Sequence, residues 1–305
     1  MQAYAELAVT TNFSFLRGAA HAEELVATAD ELGLAAIGIA DRNSFAGVVR
    51  AYDEARKRKI KLVVGVRLVT VDGFEVLAYP TERAAYGRLC RLLSAGNLKA
   101  KKGECHLTFE EILAASAGQI LIAVPPPNHR HPEARAKRAS KDDGPSASAG
   151  ILRGPRCARA PQDDGRFIDR LSALARAAPG RTFLAGTHYH CGDEPRRLGL
   201  LAELGERLKA PLAAVNDVFY HVPERRPLAD VVTCIREKCT IDTLGAARER
   251  FADRYLKTGE EMERLFRRYL KDTRPVARSV EFAARCTFSL DELKYQYPDE
   301  IQVPG

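Results

Sequence analysis

The feature that most constrains this chain is a regular exchange of short apolar runs with helical stretches of about 10 to 15 residues. Residues 5–10 (AELAVT) alternate in the manner of a strand, and "HAEELVATADELG" sets Leu25, Ala29 and Leu32 at helical spacing before a stop at Gly33. The buried run "AAIGIAD" comes next. The unit then repeats, with "SFAGVVRAYDEARKRK" predicted helical, Phe45, Val48, Val49 and Tyr52 on one side, and "IKLVVGVRLVT" as the following strand. Such βαβ units predict an α/β fold with a parallel sheet. After an Asp72-Gly73 turn come the strand "FEVLAY", helices over 82–94 and around "LTFEEILAA", and the strand "QILIAV".

The pattern halts at Pro125. Residues 125–165 are rich in Pro, Ala, Ser, Gly and both charge signs, and read as a disordered surface insertion. The alternation resumes with a helix over 166–178, the strand "RTFLAG", a helix over 194–208 and the strand "APLAAV". About seven strands with helices between them fit either an open sheet or a closed or nearly closed barrel, and periodicity does not choose between them. From about Pro227 the stretches "LADVVTCIREKCTI", "GEEMERLFRRYL" and "VARSVEFAARC" are helical without a strong strand, and the chain ends on a Pro-containing, linker-like "YPDEIQVPG".

Composition narrows the function. With 305 residues and 46% apolar content the chain can bury a sizeable core, and its net charge of +7 leans toward an anionic partner such as nucleic acid, against the plain alternative of a solvated surface. No apolar run approaches the roughly 18 to 20 residues of a membrane span, and a secretory signal pattern is missing, so a cytoplasmic protein is expected. Seven scattered cysteines fit a reducing compartment better than a disulfide framework. Cys234 and Cys239, separated by four residues on a predicted helix, form no CxxC pair and read as helical packing residues. The phosphate-binding motifs GxxxxGK[ST] and GxGxxG and the nucleophile elbow GxSxG are absent.

In a barrel, ligands gather at the carboxyl ends of strands. His188 and His190 in "THYHCGDE" are an i, i+2 pair that would share one face of an extended strand, with Cys191 and Asp193 nearby, and Asp41 and Asp217 each follow an apolar strand. The competing reading is polar loop residues for the histidines and ion pairs or helix caps for the acids. His129 and His131 fall in the insertion. The first strand end, "AVTTNFSFLRG", offers Thr10, Thr11 and Asn12 and no acid, imidazole or thiol.

Taken together and in order, "YAELAVTTNFSFLRGAAHAEELVATADELGLAAIGIADRNSFAGVVRAY", "DGFEVLAYPTERAAYGRLCRLL", "KKGECHLTFEEIL", "GQILIAVPP", "LAAVNDVFYHVPERRPLADVVTCIREKCTID" and "VEFAARCTFSLDELKYQYPDE" resemble the N-terminal region of error-prone bacterial DNA polymerases of the DNA polymerase III alpha-subunit type. The resemblance implies a PHP (polymerase and histidinol phosphatase) domain over 1–225, a distorted (β/α)7 barrel interrupted by the insertion. Residues 226–305 would be a helical connector toward a polymerase palm lying beyond this chain.

The resemblance also places the hydrolytic motifs. Where phosphoesterase relatives carry two histidines on the first strand, Ala8 and Thr10 stand here; the second-strand Asp-His becomes Asp41-Arg42; the acid after the third-strand glycine becomes Arg67; and the late Asn-Asp-x-His keeps Asn216 and Asp217 but has Phe219. Metal ions require several anionic or imidazole donors within about 2 to 2.5 Å, and the cations Arg42 and Arg67 oppose this. The expectation is a dismantled site with no catalytic residues and no metal, Asp41 pairing with a neighbouring arginine. The full-length polymerase would use Mg²⁺, and its partners would be the remainder of the polymerase chain, DNA and translesion accessory proteins. The rival reading is a free-standing metal-dependent phosphoesterase or exonuclease using His188, His190, Asp41 and Asp217.

Overall fold

A computed structural model describes residues 3–126, 162–190, 192–244 and 251–294. The strands are β1 (Ala5–Val9), β2 (Ala36–Arg42), β3 (Leu62–Val69), β4 (Glu75–Pro80), β5 (Gln119–Val124), β6 (Thr182–Gly186) and β7 (Leu212–Ala214). They form one sheet in chain order. The sheet curls until β1 meets the chain just past β7: Val9 bridges Val218, the Thr10 N–H donates to Val218 O (2.9 Å) and the Val218 N–H donates to Ala8 O (2.8 Å). The outcome is a nearly closed seven-stranded α/β barrel.

Helices α1 (Ala22–Glu31), α2 (Val48–Arg58), α3 (Arg83–Leu98), α4 (Phe109–Ala114), α5 (Gln162–Ala177) and α6 (Glu194–Arg207) connect the strands, and α7 (Arg226–Glu237), α8 (Gly259–Tyr269) and α9 (Arg274–Arg285) follow them. The expected insertion at 125–165 lies largely outside the described residues, as do His129 and His131. On its far side α5 is already helical from Gln162.

The expected parallel sheet needs one correction. β4 runs antiparallel to both neighbours, in register Val66↔Ala78 and Leu77↔Ile122. A parallel return needs a crossover of a dozen or more residues. Between Val69 and Glu75 there is only the Asp72-Gly73 turn, where Gly73 takes φ 86°. The second correction concerns α2, which starts at Val48 and buries Val48, Ala51 and Ala55. Val49 is therefore left 59% exposed rather than sharing the buried face. A third concerns Cys239, which lies beyond the left-handed cap residue Lys238 (φ 54°), with its N–H bonded to Cys234 O at 3.0 Å; only Cys234 packs within α7.

Strand alternation sends Ile37, Ile39, Val64, Val66 and Leu184 outward to meet Leu25, Leu171, Leu174, Leu198 and Leu201 from the helices. The other set, including Leu7, Val63, Leu77, Ile120, Ile122 and Val215, fills the lumen. Tyr79 crosses the lumen and donates its hydroxyl hydrogen to Leu7 O. Gly65 leaves room for that ring, since a Cβ there would stand 2.3 Å from Tyr79 Cε1.

The barrel's amino-terminal mouth is filled by α9. Val276, Ser279, Phe282 and Ala283 share one helical face and are all buried. Phe282 packs edge-on to Tyr79 (5.1 Å) and Phe183 (5.3 Å), and Ser279 Oγ accepts from the Ala5 N–H at 3.1 Å. The plug predicts that Phe282→Ala will cost about 3 to 5 kcal/mol in urea unfolding. A loss under about 1 kcal/mol would show that the mouth is closed without α9.

Candidate functional site

The carboxyl-terminal mouth is organised by Asp217. This residue follows β7 in a left-handed conformation (φ 51°) and is 4% exposed. The Asn216 N–H donates to Glu6 Oε2 (2.8 Å), which fixes the backbone, while Asn216 Nδ2 donates to the carbonyls of Asp253 (2.8 Å) and Tyr255 (2.7 Å). Those two bonds, with the Phe219 N–H donating to Arg254 O at 2.9 Å, hold the segment before α8 against the barrel.

Arg254 is thereby delivered into the mouth. Its Nη2 lies 2.9 Å from Asp217 Oδ2, while Arg67 Nη2 donates to Asp217 Oδ1. Arg67 Nη1 continues to Glu75 Oε2 at 3.1 Å. The Arg254 guanidinium also lies over the rings of Phe219 (4.5 Å) and Tyr189 (5.2 Å), stacking to which a planar delocalised cation is suited. Burial alone would raise the Asp217 pKa, but the charges of Arg254 and Arg67 outweigh it and hold the carboxyl below its ordinary value. Burial works against the Arg67 cation, yet Asp217 and Glu75 raise its pKa overall.

Asp41, at the end of β2, is treated differently. Its fully buried carboxylate accepts from Thr11 N (2.8 Å), Thr11 Oγ1 (2.8 Å) and Ser14 Oγ (2.6 Å), and from the Gly47 N–H. Gly47 is required by this contact, because a Cβ there would come within 2.3 Å of Asp41 Oδ2. Burial raises the Asp41 pKa despite these donors. The expected Asp41–arginine pair is thus corrected: hydroxyls and backbone N–H groups occupy the carboxylate, and Arg42 turns to Glu75, Nη1 to Oε1 3.7 Å. The Thr11 and Ser14 contacts explain the hydroxyl-rich first strand end, since they tie the 11–18 turn to β2. Ala8 faces the lumen, and Thr10 is 2% exposed and joined through its backbone to Val218.

The histidine pair does not act as a pair. His190 adopts φ 53°, which breaks the strand alternation, and its Nε2 lies 2.9 Å from Asp253 Oδ2. His188 is 2% exposed and sits against Phe266 and Tyr269 of α8, with both ring centroids at 5.1 Å. Burial, reinforced by the charges of His190, Arg197 and Lys257, pushes the His188 pKa down to about 3. The two histidines do not converge with Asp41 and Asp217. Among the described residues no group of three or more His, Cys, Asp and Glu is arranged to hold a metal ion, and Cys191 lies outside them.

Sequence reasoning missed Arg254 and Glu6. Glu6 is fully buried on β1, accepts from Tyr4 Oη (2.7 Å), Ala8 N (2.8 Å) and Asn216 N (2.8 Å), and has its pKa raised by burial. An acid inside an apolar strand was the available signal for Glu6. Arg254 had none, being one arginine among many in a helical region.

Residues 6–140 match the family described as PHP domain, a stretch that begins in β1 and runs past β5. Along 99% of its length it is 45% identical to "Error-prone DNA polymerase" of Caulobacter vibrioides, covering 25% of that protein. It is 46% identical over 99% of its length to the protein of the same name from Rhodopseudomonas palustris (strain BisB5), covering 24% of it, and 44% identical to "Error-prone DNA polymerase 2" of Agrobacterium fabrum, again covering 24%. The chain is thus similar to proteins named error-prone DNA polymerase along nearly its whole length, and its first part is similar to a PHP domain. It spans about a quarter of the length of these curated relatives.

Two outcomes follow from the buried charges. Arg254→Ala leaves Asp217 with one guanidinium in place of two and should destabilise the fold by about 3 to 5 kcal/mol, measured by urea denaturation. His188 has its pKa lowered on folding from the ordinary 6.5 to about 3. Between these values the unfolded chain binds the extra proton, so stability is retained above the upper limit and falls as pH drops below it. The expected slope is about 1.4 kcal/mol per pH unit, and His188→Phe should remove it.

Proposed function

We propose that this chain is the PHP part of a longer error-prone DNA polymerase and that its barrel is a structural and interaction module without hydrolytic activity. The observation that carries the reading is the Arg67–Asp217–Arg254 arrangement, in which two guanidiniums flank the rim carboxylate that a metal ion would need. The other donors do not fit a divalent cation either. Asp41 is occupied by four hydrogen-bond donor contacts from Thr11, Ser14 and Gly47, Ala8 offers a methyl group, Phe219 a ring, and His188 is enclosed by aromatic side chains.

Residues 1–225 then form the PHP barrel and 226–305 a helical connector toward the palm, with the connector returning Arg254 and Phe282 to the barrel's two mouths. Primer extension across damaged template, with Mg²⁺ as cofactor, belongs to the remaining three quarters of the polymerase. DNA, that remainder and translesion accessory proteins are the partners of the whole, acting in the cytoplasm. No helix among the described residues is long and apolar enough to cross a membrane. A free-standing phosphoesterase is disfavoured because His188 is enclosed by Phe266 and Tyr269, His190 pairs with Asp253, and among the described residues no group of three or more His, Cys, Asp and Glu is arranged to hold a metal ion.

The reading predicts that purified protein carries no stoichiometric Mn, Fe or Zn by plasma mass spectrometry. It also predicts that added Mn²⁺ yields no shortening of single-stranded or primed DNA. Stoichiometric metal together with strand shortening would restore the hydrolase reading.

A further inference from the structure

Helix α7 is inverted. It buries Asp230 and Cys234, while Leu228, Val231 and Ile235, at spacings of three and four that place them on one face, are 42, 40 and 56% exposed. Beside it stands Phe15, 81% exposed at the tip of the 11–18 turn. The two are pinned together, since Arg236 Nη1 donates to Leu16 O at 2.7 Å and Leu16 takes φ 55°. The exposed apolar groups thus belong to one surface held by defined contacts, which marks an interaction site more than scattered surface residues do.

We propose that this surface, formed by Leu228, Val231, Ile235 and Phe15, is an intrachain docking site covered by another part of the longer polymerase. The inference rests on the reading of the chain as one part of such a polymerase. Two observations select this occupant. The relatives are about four times as long as this chain, so three quarters of their length is available to cover it. Four neighbouring arginines are also engaged internally, Arg225 with Glu24 (2.5 Å), Arg226 with Asp230 (3.6 Å), Arg236 with Glu237 (3.1 Å) and Arg50 with Glu23 (3.2 Å). A surface that is apolar at its centre, with most of its rim arginines paired, matches a protein segment with an apolar stripe, whereas a phosphodiester backbone requires available positive charge.

The test places the photo-crosslinker p-benzoylphenylalanine at position 235, and separately at position 15, in the full-length polymerase. Both are exposed here, so the barrel should tolerate them. The expected product is an intramolecular crosslink to a peptide outside residues 1–305, with a yield unchanged on dilution. Crosslinks to a second copy that fade on dilution, crosslinks to added primed DNA, or no crosslink at either position would each overturn the docking proposal. Primer extension by the same preparations separates the two levels: extension without the intrachain crosslink rejects the docking surface alone, and absence of extension by the unsubstituted full-length protein rejects the polymerase reading beneath it.

Discussion

The clamp on Asp217 is the interaction on which the rest of this structure depends. A carboxylate at 4% exposure is costly unless its charge is met, and here it is met on both oxygens by guanidiniums from distant parts of the chain, Arg67 at the end of β3 and Arg254 just before α8. The clamp is more than a pair, because Asn216 anchors the backbone that carries Arg254 and is itself held by Glu6 on β1. A strand from each side of the closing seam and a segment from beyond the barrel therefore meet at one charge. The opposite mouth is closed by Phe282 from the same downstream region. The barrel and the helical segment that follows it are joined at both mouths, once by charge and once by apolar contact.

The two rim acids show how environment divides one chemical type. Asp217 is buried beside two cations and stays a carboxylate with a depressed pKa; Asp41 is buried beside hydroxyls and N–H groups and has a raised one. On the proposed reading, each is withdrawn from metal chemistry by a different means. For Asp217 the positive charge that an ion would bring is already supplied by protein. For Asp41 the lone pairs are used to fold the 11–18 turn onto β2. Around Ala8 and Thr10 the strand end is held by β1–Val218 backbone pairing.

Much of this fold is legible in the sequence because it is written in local periodicity. Seven apolar runs became seven strands, and the Asp72-Gly73 signal marked the point where β4 turns back. The direction of β4 was missed, although the shortness of the β3–β4 connection carried it. At the site, positions were legible through motif spacing, while partners were not. That Arg67 would oppose a metal follows from its charge, but the arrival of Arg254 is a long-range tertiary event with no local pattern. His188 and His190 look equivalent in sequence only if the strand continues, and the left-handed backbone at His190 separates them. The inversion of α7 is similarly invisible, because an amphipathic pattern does not say which face a barrel will take.

The central claim is that protein cations occupy the place of metal at the barrel mouth. The most direct measurement is anomalous diffraction at the manganese edge from crystals grown with excess Mn²⁺. The account predicts no anomalous peak beside Asp217 or Asp41, with guanidinium density from Arg67 and Arg254 on either side of Asp217. A manganese peak between these carboxylates with Arg254 displaced would contradict it.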